Sequence, residues 1–582
     1  MHFPRLTPTP QRRVTTERFT GYDHRLRIAD GAFYDTRNLS SRDYPLLCTR
    51  PRRGTVRTLD RPQGLIAKDA LATVENGTLY IAGHPTAVTG LGPGEKQLVS
   101  MGATILIFPD KRYYNTEDPS DYGFLEAEYR SSGTVEYSLC DSEGRDLPAP
   151  QVSDTEPEEP VNGALWLDTA SGGRVLLQYS EAQGLWAELD SVFTRLRFQS
   201  LGALPGLFNR HDGVSLSGAP VADLNGEKIL YALGGSDTER DYIVIAGVLE
   251  SPGSFTEGLT IRRSVPDMDY VCEAGNRLWG CRYGHDGEQT LNEIYASALG
   301  DYKNFRQYLG LSTDSWTASV GSDGVFTGAV NYLGRPCFFK EDRVHVVTIS
   351  STGAHRLEET ACRGVQKGSG RSLCVVGESL YYKAIDCVCQ WQGGFPRPVS
   401  LQLGEQRFTE AAAGALGSRY YLSMKGEDGA YAFFCCDTER GLWYREDSLR
   451  ARHFAALEGE LYAIDEETGT LLALLGTAGE AEASLPWMAE TGLLHYRSSD
   501  RKYLSRYNLS LRMEPGSSLR LWIRYDSEGE WQAAGELQYT GTGTVTLPVR
   551  PRRCDHLQLR LEGEGEMRLF ALTRVLEIGS DL

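Results

Sequence analysis

The residues of this 582-residue chain that could carry out catalysis are scattered along the sequence. Its ten histidines show neither the HxH nor the HExxH spacing of metal sites, and no GxSxG motif marks a nucleophile. The pair His211–Asp212 lies beside a turn and is interpreted as a turn feature rather than an acid/base or metal pair. Adjacent glutamates at 158–159, 358–359 and 466–467 are interpreted as solvated loop charge. The sequence therefore predicts no catalytic, cofactor or metal site, and a protein that is not an enzyme.

Two groups of side chains could instead bind a partner. Trp166, Tyr179 and Trp186 could present an aromatic face to a sugar ring, although packing inside a small module explains them as well. The clearest basic cluster consists of Arg50, Arg52, Arg53 and Arg57. A solvated arm, or a docking strip for an acidic partner, is favoured over phosphate binding for this cluster.

The composition excludes several classes of protein. A net charge of −18 and a pI near 5.2 argue against wrapping a nucleic acid, because phosphate neutralisation needs clustered Lys and Arg. No apolar run of about 18 residues is present, so no membrane span is expected. The first 16 residues are basic and proline-rich without an apolar core, which predicts no secretory signal. The twelve cysteines form no CxxC pair and are interpreted as reduced core thiols.

A repeated glycine organises the second half of the chain. Gly334, Gly377, Gly417 and Gly459 each precede a short apolar, aromatic-rich run, at intervals of 43, 40 and 42 residues. Short β-branched or aromatic runs separated by Gly, Asp and Asn turns are typical of antiparallel hairpins. A period of about 40–50 residues with three or four strands is typical of one blade of a β-propeller. Blades must stack around an axis, so the repeat predicts a ring.

The whole chain is predicted to be all-β: a six- or seven-bladed β-propeller interrupted by inserted small β-modules and followed by a C-terminal β-sandwich. The alternating apolar and polar residues after about 477 indicate strands with one buried face, which is the basis for the sandwich. A strand within 55–66 is expected to complete the last blade. The predicted units are an extended N-terminal arm with this closing strand (1–66), a first blade (67–124), a β-module with a Trp motif (125–190), a small barrel or sandwich (191–262), the remaining blades (263–476) and the β-sandwich (477–582).

Several of these segments resemble structural proteins of tailed bacteriophages. GALWLDT at 163–169, followed by LQY at 177–179 and LW at 185–186, resembles a module of phage tail and fibre proteins, but here the tyrosine follows the leucine by two positions instead of three. The unit from Asp212 to Gly247 is similar to small β-modules of phage and prophage structural proteins. The arm at 38–53, the repeat and the ending at 554–581 resemble virion proteins of phages of Gram-positive bacteria and, more distantly, the propeller-bearing tail nozzle and neck proteins of short-tailed phages.

The resemblance implies a structural virion protein at the neck or tail, made in the host cytoplasm. Its expected partners are portal, adaptor or tail proteins, and a homo-oligomeric ring through heterologous contacts is expected. No specific nucleic-acid binding is expected, although DNA could pass through the assembly without sticking to an acidic surface. The alternative is a glycan-binding or glycan-cleaving propeller for host recognition, which predicts a carboxylate pair with aromatic neighbours in an axial pocket. A third interpretation is a bacterial scaffold propeller unrelated to phage.

Overall fold

The structure, a computed structural model, describes residues 11–170, 174–189, 192–287, 289–350, 353–496, 501–550 and 552–578. These residues form 53 β-strands in eleven sheets, with no α-helix and with 3-10 turns at Ala222–Leu224, Gly370–Ser372 and Leu401–Leu403. The prediction of an all-β fold is confirmed. No helix in the described part of the chain has the length and apolar character needed to cross a membrane.

The first six strands belong to sheets that also contain strands from the last third of the chain. They are β1 (Gln11–Thr16), β2 (Gly21–Tyr22), β3 (Ala32–Arg37), β4 (Leu39–Ser40), β5 (Leu47–Thr49) and β6 (Gly54–Thr58).

Two four-stranded antiparallel sheets come next. Sheet 1 consists of β7 (Pro62–Ala67), β8 (Leu71–Glu75), β9 (Thr78–Ile81) and β10 (His84–Pro85). Sheet 2 consists of β11 (Gln97–Met101), β12 (Thr104–Phe108), β13 (Arg112–Asn115) and β14 (Tyr122–Phe124). The predicted single blade at 67–124 is therefore wrong, because these residues belong to two sheets and the first of them starts at Pro62.

An insertion of twelve strands in the described residues separates sheet 2 from the next sheet. Its strands are β15 (Ala127–Arg130), β16 (Val135–Cys140), β17 (Gln151–Ser153), β18 (Leu165–Asp168), β19 (Val175–Ser180), β20 (Leu185–Glu188), β21 (Phe193–Leu201), β22 (Gly213–Ser217), β23 (Gly226–Gly234), β24 (Arg240–Ala246), β25 (Gly253–Phe255) and β26 (Thr260–Arg263). Strands β17 to β20 form one sheet, and the other eight form a second sheet in the order β15-β26-β22-β23-β24-β21-β16-β25. The predicted boundary between residues 190 and 191 is wrong, because β16 pairs with β21 across it.

Five further antiparallel sheets follow the insertion within the described residues. Sheet 3 consists of β27 (Tyr270–Glu273), β28 (Leu278–Asp286), β29 (Gln289–Ala296) and β30 (Trp316–Ser319). Sheet 4 consists of β31 (Gly328–Tyr332), β32 (Arg335–Phe339), β33 (Arg343–Ile349) and β34 (His355–Ala361). Sheet 5 consists of β35 (Cys374–Val376), β36 (Ser379–Lys383), β37 (Val388–Trp391) and β38 (Arg397–Pro398).

Sheets 6 and 7 complete this series. Sheet 6 consists of β39 (Phe408–Leu416), β40 (Arg419–Gly426), β41 (Tyr431–Asp437) and β42 (Leu442–Asp447). Sheet 7 contains β43 (Ala451–Leu457), β44 (Glu460–Asp465), β45 (Thr470–Ala473) and β46 (Glu480–Ala481), with β6 inserted between the last two. Strand β6 runs antiparallel to β45, with Thr58 opposite Thr470.

The first strands of sheets 1 to 7 contact one another in order. Contacts join β7 to β11, β11 to β27 and β27 to β31, and the 3-10 turn before β35 contacts β31. They continue from β35 to β39 and from β39 to β43, and β43 contacts β7. The contacts thus form a cycle that returns to sheet 1.

The four repeated glycines occupy equivalent turns. Gly334, Gly377, Gly417 and Gly459 lie between the first and second strands of sheets 4 to 7, with φ of +79°, +58°, +58° and +80°. An L-residue with a side chain is strained at such angles, whereas glycine is not. The repeat therefore marks a turn that each of these sheets needs.

Two six-stranded sheets contain the end of the chain together with its beginning. The remaining strands are β47 (Pro486–Thr491), β48 (Lys502–Met513), β49 (Ser518–Tyr525), β50 (Glu528–Gln538), β51 (Gly541–Pro548), β52 (Leu557–Glu564) and β53 (Met567–Ile578). One sheet has the order β4-β5-β53-β48-β51, with β1 also on β53, and the other has the order β2-β3-β47-β52-β49-β50. One hydrophobic core joins them, and it includes Phe33, Leu47, Leu509, Leu521 and Leu572.

The predicted N-terminal arm is therefore not an independent segment laid on a partner. Strands β1 to β5 are part of the two six-stranded sheets, and Phe19 and Phe33 are buried in their core. The predicted unit at 477–582 is wrong for the same reason, because it leaves these strands out. Hydrophobic burial of the aromatic residues holds the described residues before 50 against the strands between 486 and 578.

The predicted docking strip is also wrong, because two of its four arginines are buried. Arg50 and Arg53 are each 3% exposed. Arg53 bonds Glu446 at 2.9 Å and Asp447 at 2.6 Å, and Arg50 bonds Glu482 at 2.8 Å. The other two also bond within the chain: Arg57 pairs with Glu75, and Arg52 donates to the carbonyl of Glu482 at 2.7 Å. This buried ion network ties the segment before β6 to sheet 6 and to the segment after β46.

Replacing Arg53 with alanine is expected to lower the free energy of unfolding by about 3–5 kcal/mol, because it removes the nearer of the two cations that pair with buried Glu446 and half-buried Asp447 and leaves them only Arg50, at 3.9 Å from each. Arg52→Ala is the matched control, and it should cost about 1 kcal/mol because it removes one half-buried hydrogen bond. Urea denaturation followed by tryptophan fluorescence measures both values. Equal losses in the two variants would contradict a structural role for the buried network.

Candidate functional site

A depression opens where the first strands of sheets 6 and 7 begin, next to the 3-10 turn that precedes sheet 5. Its charged and aromatic side chains come from sheets 6 and 7 and from the 3-10 turn. We call it the arginine depression, and it is lined by Gly368, Arg371, Glu410, Ala411, Ala412, Ser423, Tyr431, Ala451, Arg452 and Glu466. It lies next to the contacts that join β39 to β43 and to the 3-10 turn before β35 in the cycle described above.

Two arginines of the depression hold one internal carboxylate. Arg371 Nη2 lies 3.3 Å from Glu95 Oε2, and Arg452 Nε pairs with the other oxygen, Oε1. Glu95 comes from the loop before β11, the first strand of sheet 2. The side chains of Arg371, Arg452 and Glu95 are 29%, 36% and 38% exposed, so solvent reaches the group. Arg371 and Arg452 therefore form a solvent-accessible anion site, which the carboxylate of Glu95 occupies.

Neighbouring groups fix the position of each member. Arg371 donates to Nδ1 of His453 and, at 3.3 Å, to the carbonyl of Lys96. The ammonium of Lys96 lies 2.7 Å from Asp110, which anchors the loop that carries Glu95. These contacts hold Arg371 and Glu95 in place, which lowers the entropy lost when an anion binds.

His453 is neutral at this site. Burial first, and then the charges of Arg371 and Arg452, lower its pKa well below the ordinary value. A neutral ring can accept a hydrogen bond at one nitrogen, and this is what Arg371 requires.

Two more glutamates line the depression, and each is in an ion pair. Glu466 lies 2.8 Å from Arg450 and 4.0 Å from Arg452, and Glu410 lies 3.3 Å from Lys425. The guanidinium of Arg450 also stands 5.0 Å from the centre of the Tyr431 ring. Carboxylate oxygens and an aromatic ring beside an arginine pair can bind the hydroxyls, the apolar face and the anionic group of one ligand.

No spacing motif in the sequence predicts that these residues converge. Arg452 and Glu410 each lie seven residues before a repeated turn glycine, Gly459 and Gly417, and Arg371 lies six before Gly377. This distance is not constant, and Thr327 stands seven residues before Gly334, so the spacing does not identify the site. Spacing motifs for catalysis could not find it, because the side chains converge only when the sheets pack side by side.

The three aromatic residues predicted as glycan contacts do lie together, in the small sheet of the insertion. The rings of Trp166 and Trp186 are 5.5 Å apart, and those of Tyr179 and Trp186 are 5.4 Å apart. Trp166 is 9% exposed and donates to the carbonyl of Ser153 at 3.1 Å, so its ring packs inside the module. Tyr179 and Trp186 are half-buried. The predicted basic strip, described above, contributes no exposed patch.

No protein-family model matches this chain, and no curated protein sequence matches it. Among solved structures, an exo-β-1,3-galactanase from Phanerochaete chrysosporium matches with 8% identity over 52% of this chain and 94% of its own, at a TM-score of 0.23. A glycoside hydrolase family 43 arabinoxylan arabinofuranohydrolase from Bacillus subtilis has 8% identity over 54% and 95%, at 0.18. The endosialidase of phage phi92 has 10% identity over 75% and 68%, at 0.23.

These matches correct the prediction that the chain is not an enzyme, because glycoside hydrolases are among the structures that resemble it. TM-scores of this size carry no argument for a particular activity. The matches identify no family of phage tail proteins, so the virion role stays a prediction.

Acid is expected to destabilise the wild type more than the variant His453→Gln. The unfolded chain binds a proton at this residue below a pH of about 6.5 whereas the folded chain does not, so the free energy of unfolding falls as pH falls. One such group contributes a slope of up to about 1.4 kcal/mol per pH unit. Glutamine can still accept from Arg371 but does not titrate, so the variant should have a flatter profile.

Thermal melting from pH 7.5 to pH 5 tests this prediction, with His285→Gln as the control at an exposed histidine. His345 and His355, whose pKa values burial also lowers, contribute equally to all three proteins. Profiles that stay parallel in wild type and His453→Gln would contradict a neutral His453.

Proposed function

We propose that sheets 1 to 7 close into a seven-bladed β-propeller and that the two six-stranded sheets form a β-sandwich. The cycle of contacts between first strands supports the ring. Strand β6, from the start of the chain, pairs in the last sheet and supplies its fourth strand, which is the way such a ring closes most stably. The shared core of the two six-stranded sheets supports the sandwich.

We propose that this propeller is a glycan-binding protein and that the arginine depression holds a saccharide with a carboxylate group. The observation that carries the proposal is the Glu95 carboxylate, which bonds Arg371 and Arg452 through separate oxygens. A carboxylate of a ligand that takes the place of Glu95 finds the same donors. Hydrogen bonds between arginine and a carboxylate are about twice as strong as neutral ones, so they can select acidic sugars over neutral ones.

The other side chains of the depression offer contacts that a sugar needs, but its volume is about 20 Å³, so a sugar ring would lie across the opening and not inside it. Glu410 and Glu466 can accept hydrogen bonds from hydroxyl groups, and the Tyr431 ring offers an apolar surface for a pyranose face. Sugars need both kinds of contact because each ring carries hydroxyls at its edge and C–H groups on its faces. The predicted alternative required a carboxylate pair with aromatic neighbours in an axial pocket, and Glu410, Glu466 and Tyr431 support it.

The predicted role as a ring-forming virion protein stays a prediction beside this proposal. A carbohydrate site at the propeller axis is compatible with a protein that acts alone and with one carried on a virion.

Arg371→Ala and Arg452→Ala are each expected to weaken binding of a carboxylate-bearing saccharide by about 10- to 100-fold, because each variant loses one charge-assisted hydrogen bond to the ligand. Isothermal titration with a uronate or sialate oligosaccharide, beside its carboxyl-reduced form, measures the effect. Arg356→Ala, at an exposed arginine of sheet 4, is the matched control and should bind as the wild type does. Equal affinity for the acidic and reduced sugars, or wild-type binding by both variants, would contradict the proposal.

Glu95→Gln is expected to raise the affinity for the acidic saccharide several-fold, because the internal carboxylate no longer competes for the arginine pair. Affinity for the carboxyl-reduced sugar should not change. The same titrations measure both affinities. Weaker binding of the acidic sugar by this variant would show that Glu95 holds the ligand instead of being displaced by it.

A further inference from the structure

A second cluster of side chains, far in sequence from the arginine depression, lies at one edge of the two six-stranded sheets. His495 follows β47, and Asp555 and His556 precede β52. One potential ligand atom from each residue lies within 4.8 Å of the other two. The sequence analysis predicted no metal site and could not find this one, because sixty residues separate the two parts of the cluster.

The backbone around the cluster is fixed by hydrogen bonds. Leu494 and Leu557 form an isolated antiparallel bridge, with N–H···O distances of 2.9 Å and 3.4 Å, which brings the two histidines side by side. The ring centres of His495 and His556 are 4.9 Å apart. The carboxylate of Asp526 accepts from the backbone N–H of Asp555 at 2.7 Å and of His556 at 3.3 Å.

The side chains are oriented as well. His556 Nδ1 lies 3.0 Å from Asp555 Oδ2, and His495 Nδ1 lies 3.9 Å from the same oxygen. The other nitrogen of His556 lies 2.7 Å from Ser527 Oγ. Ser527 sits with Asp526 in the tight turn between β49 and β50, where both have positive φ, +55° and +52°. A hydroxyl that accepts the remaining ring N–H is the kind of outer contact that orients a metal-binding histidine.

We propose that His495, Asp555 and His556 form a zinc site, with Nδ1 of each histidine and a carboxylate oxygen as ligands. Two imidazoles and one carboxylate are a common zinc set, with water in the fourth position. Ligand atoms of a tetrahedral Zn²⁺ at about 2.1 Å lie about 3.4 Å apart, and the two distances here, 3.0 and 3.9 Å, lie on either side of that value. Calcium and magnesium are disfavoured because they prefer oxygen ligands.

The site can fill and empty without unfolding. The side chains of His495 and Asp555 are 52% and 57% exposed, whereas that of His556 is 17% exposed. The ion would link the segment after β47 to the start of β52 and, through Ser527, to the β49–β50 turn. A ligand that binds only the folded chain stabilises it, so zinc should raise the melting temperature.

Metal content and melting temperature of the full chain, stripped with EDTA and then dialysed against ZnCl₂, test this proposal. We expect one bound Zn²⁺ per chain and a zinc-dependent rise in melting temperature. His495→Ala and His556→Ala should each lower the affinity at least tenfold and abolish the rise, and Ser527→Ala should lower the affinity by a smaller factor. His285→Ala, at an exposed histidine outside the cluster, should keep both properties.

Cobalt substitution separates this site from binding by cysteine. Co²⁺ at the proposed site should give a spectrum of nitrogen and oxygen ligands without a thiolate charge-transfer band. The proposal is overturned if zinc has no effect on the wild type, if both histidine variants bind as the wild type does, or if the cobalt complex shows thiolate ligation. None of these outcomes bears on the arginine depression, whose residues are elsewhere in the chain.

Discussion

The buried ion network of Arg50 and Arg53 holds together parts of the chain that are far apart in sequence. Its carboxylates belong to the end of sheet 6 and to the segment after β46, and its arginines lie between β5 and β6. A buried guanidinium without partners costs several kcal/mol, so the two arginines are stable only when all three segments are in position. The network therefore favours a single path for the chain, out of the two six-stranded sheets and into sheet 7. Pairing of β6 with β45 depends on that path.

The packing of sheets side by side also creates the arginine depression. Side chains from sheets 6 and 7 meet there with Arg371 of the 3-10 turn before sheet 5 and with Glu95 of the loop before sheet 2, which lie far apart in sequence. Glu95 and Arg452 lie in sequence regions separated by the whole insertion. A site assembled in this way is rigid because the strands that carry it are buried, and its chemistry can change by substitution at a few exposed positions without loss of the core.

The sequence predicts local features of this fold well. The repeated glycines occupy the same turn in four sheets, and the alternating pattern of the C-terminal strands matches their burial. It predicts long-range pairing poorly. Strands β2 and β4 have two residues each and carry no periodic signal, so their place beside the C-terminal strands could not be foreseen. Four short strands are expected between residues 67 and 124, which is the number in one blade, so sheets 1 and 2 are predicted as a single blade although their turn glycines, Gly77 and Gly102, are only 25 residues apart. The zinc cluster and the arginine pair depend on such long-range contacts.

The first and last strands of the insertion, β15 and β26, pair with each other, with Ala127 opposite Arg263. The insertion therefore leaves and rejoins the series of sheets at nearly the same point. Within the insertion, the segment that forms the small sheet of β17 to β20 begins and ends in the same way. It starts after β16 and ends before β21, and these two strands pair with Cys140 opposite Phe193. Each module thus stands on a two-stranded stem. The attachment through two paired strands does not depend on the size of the inserted module. Modules of different size can therefore be exchanged, or inserted one inside another, without a change in the pairing of the sheets on either side.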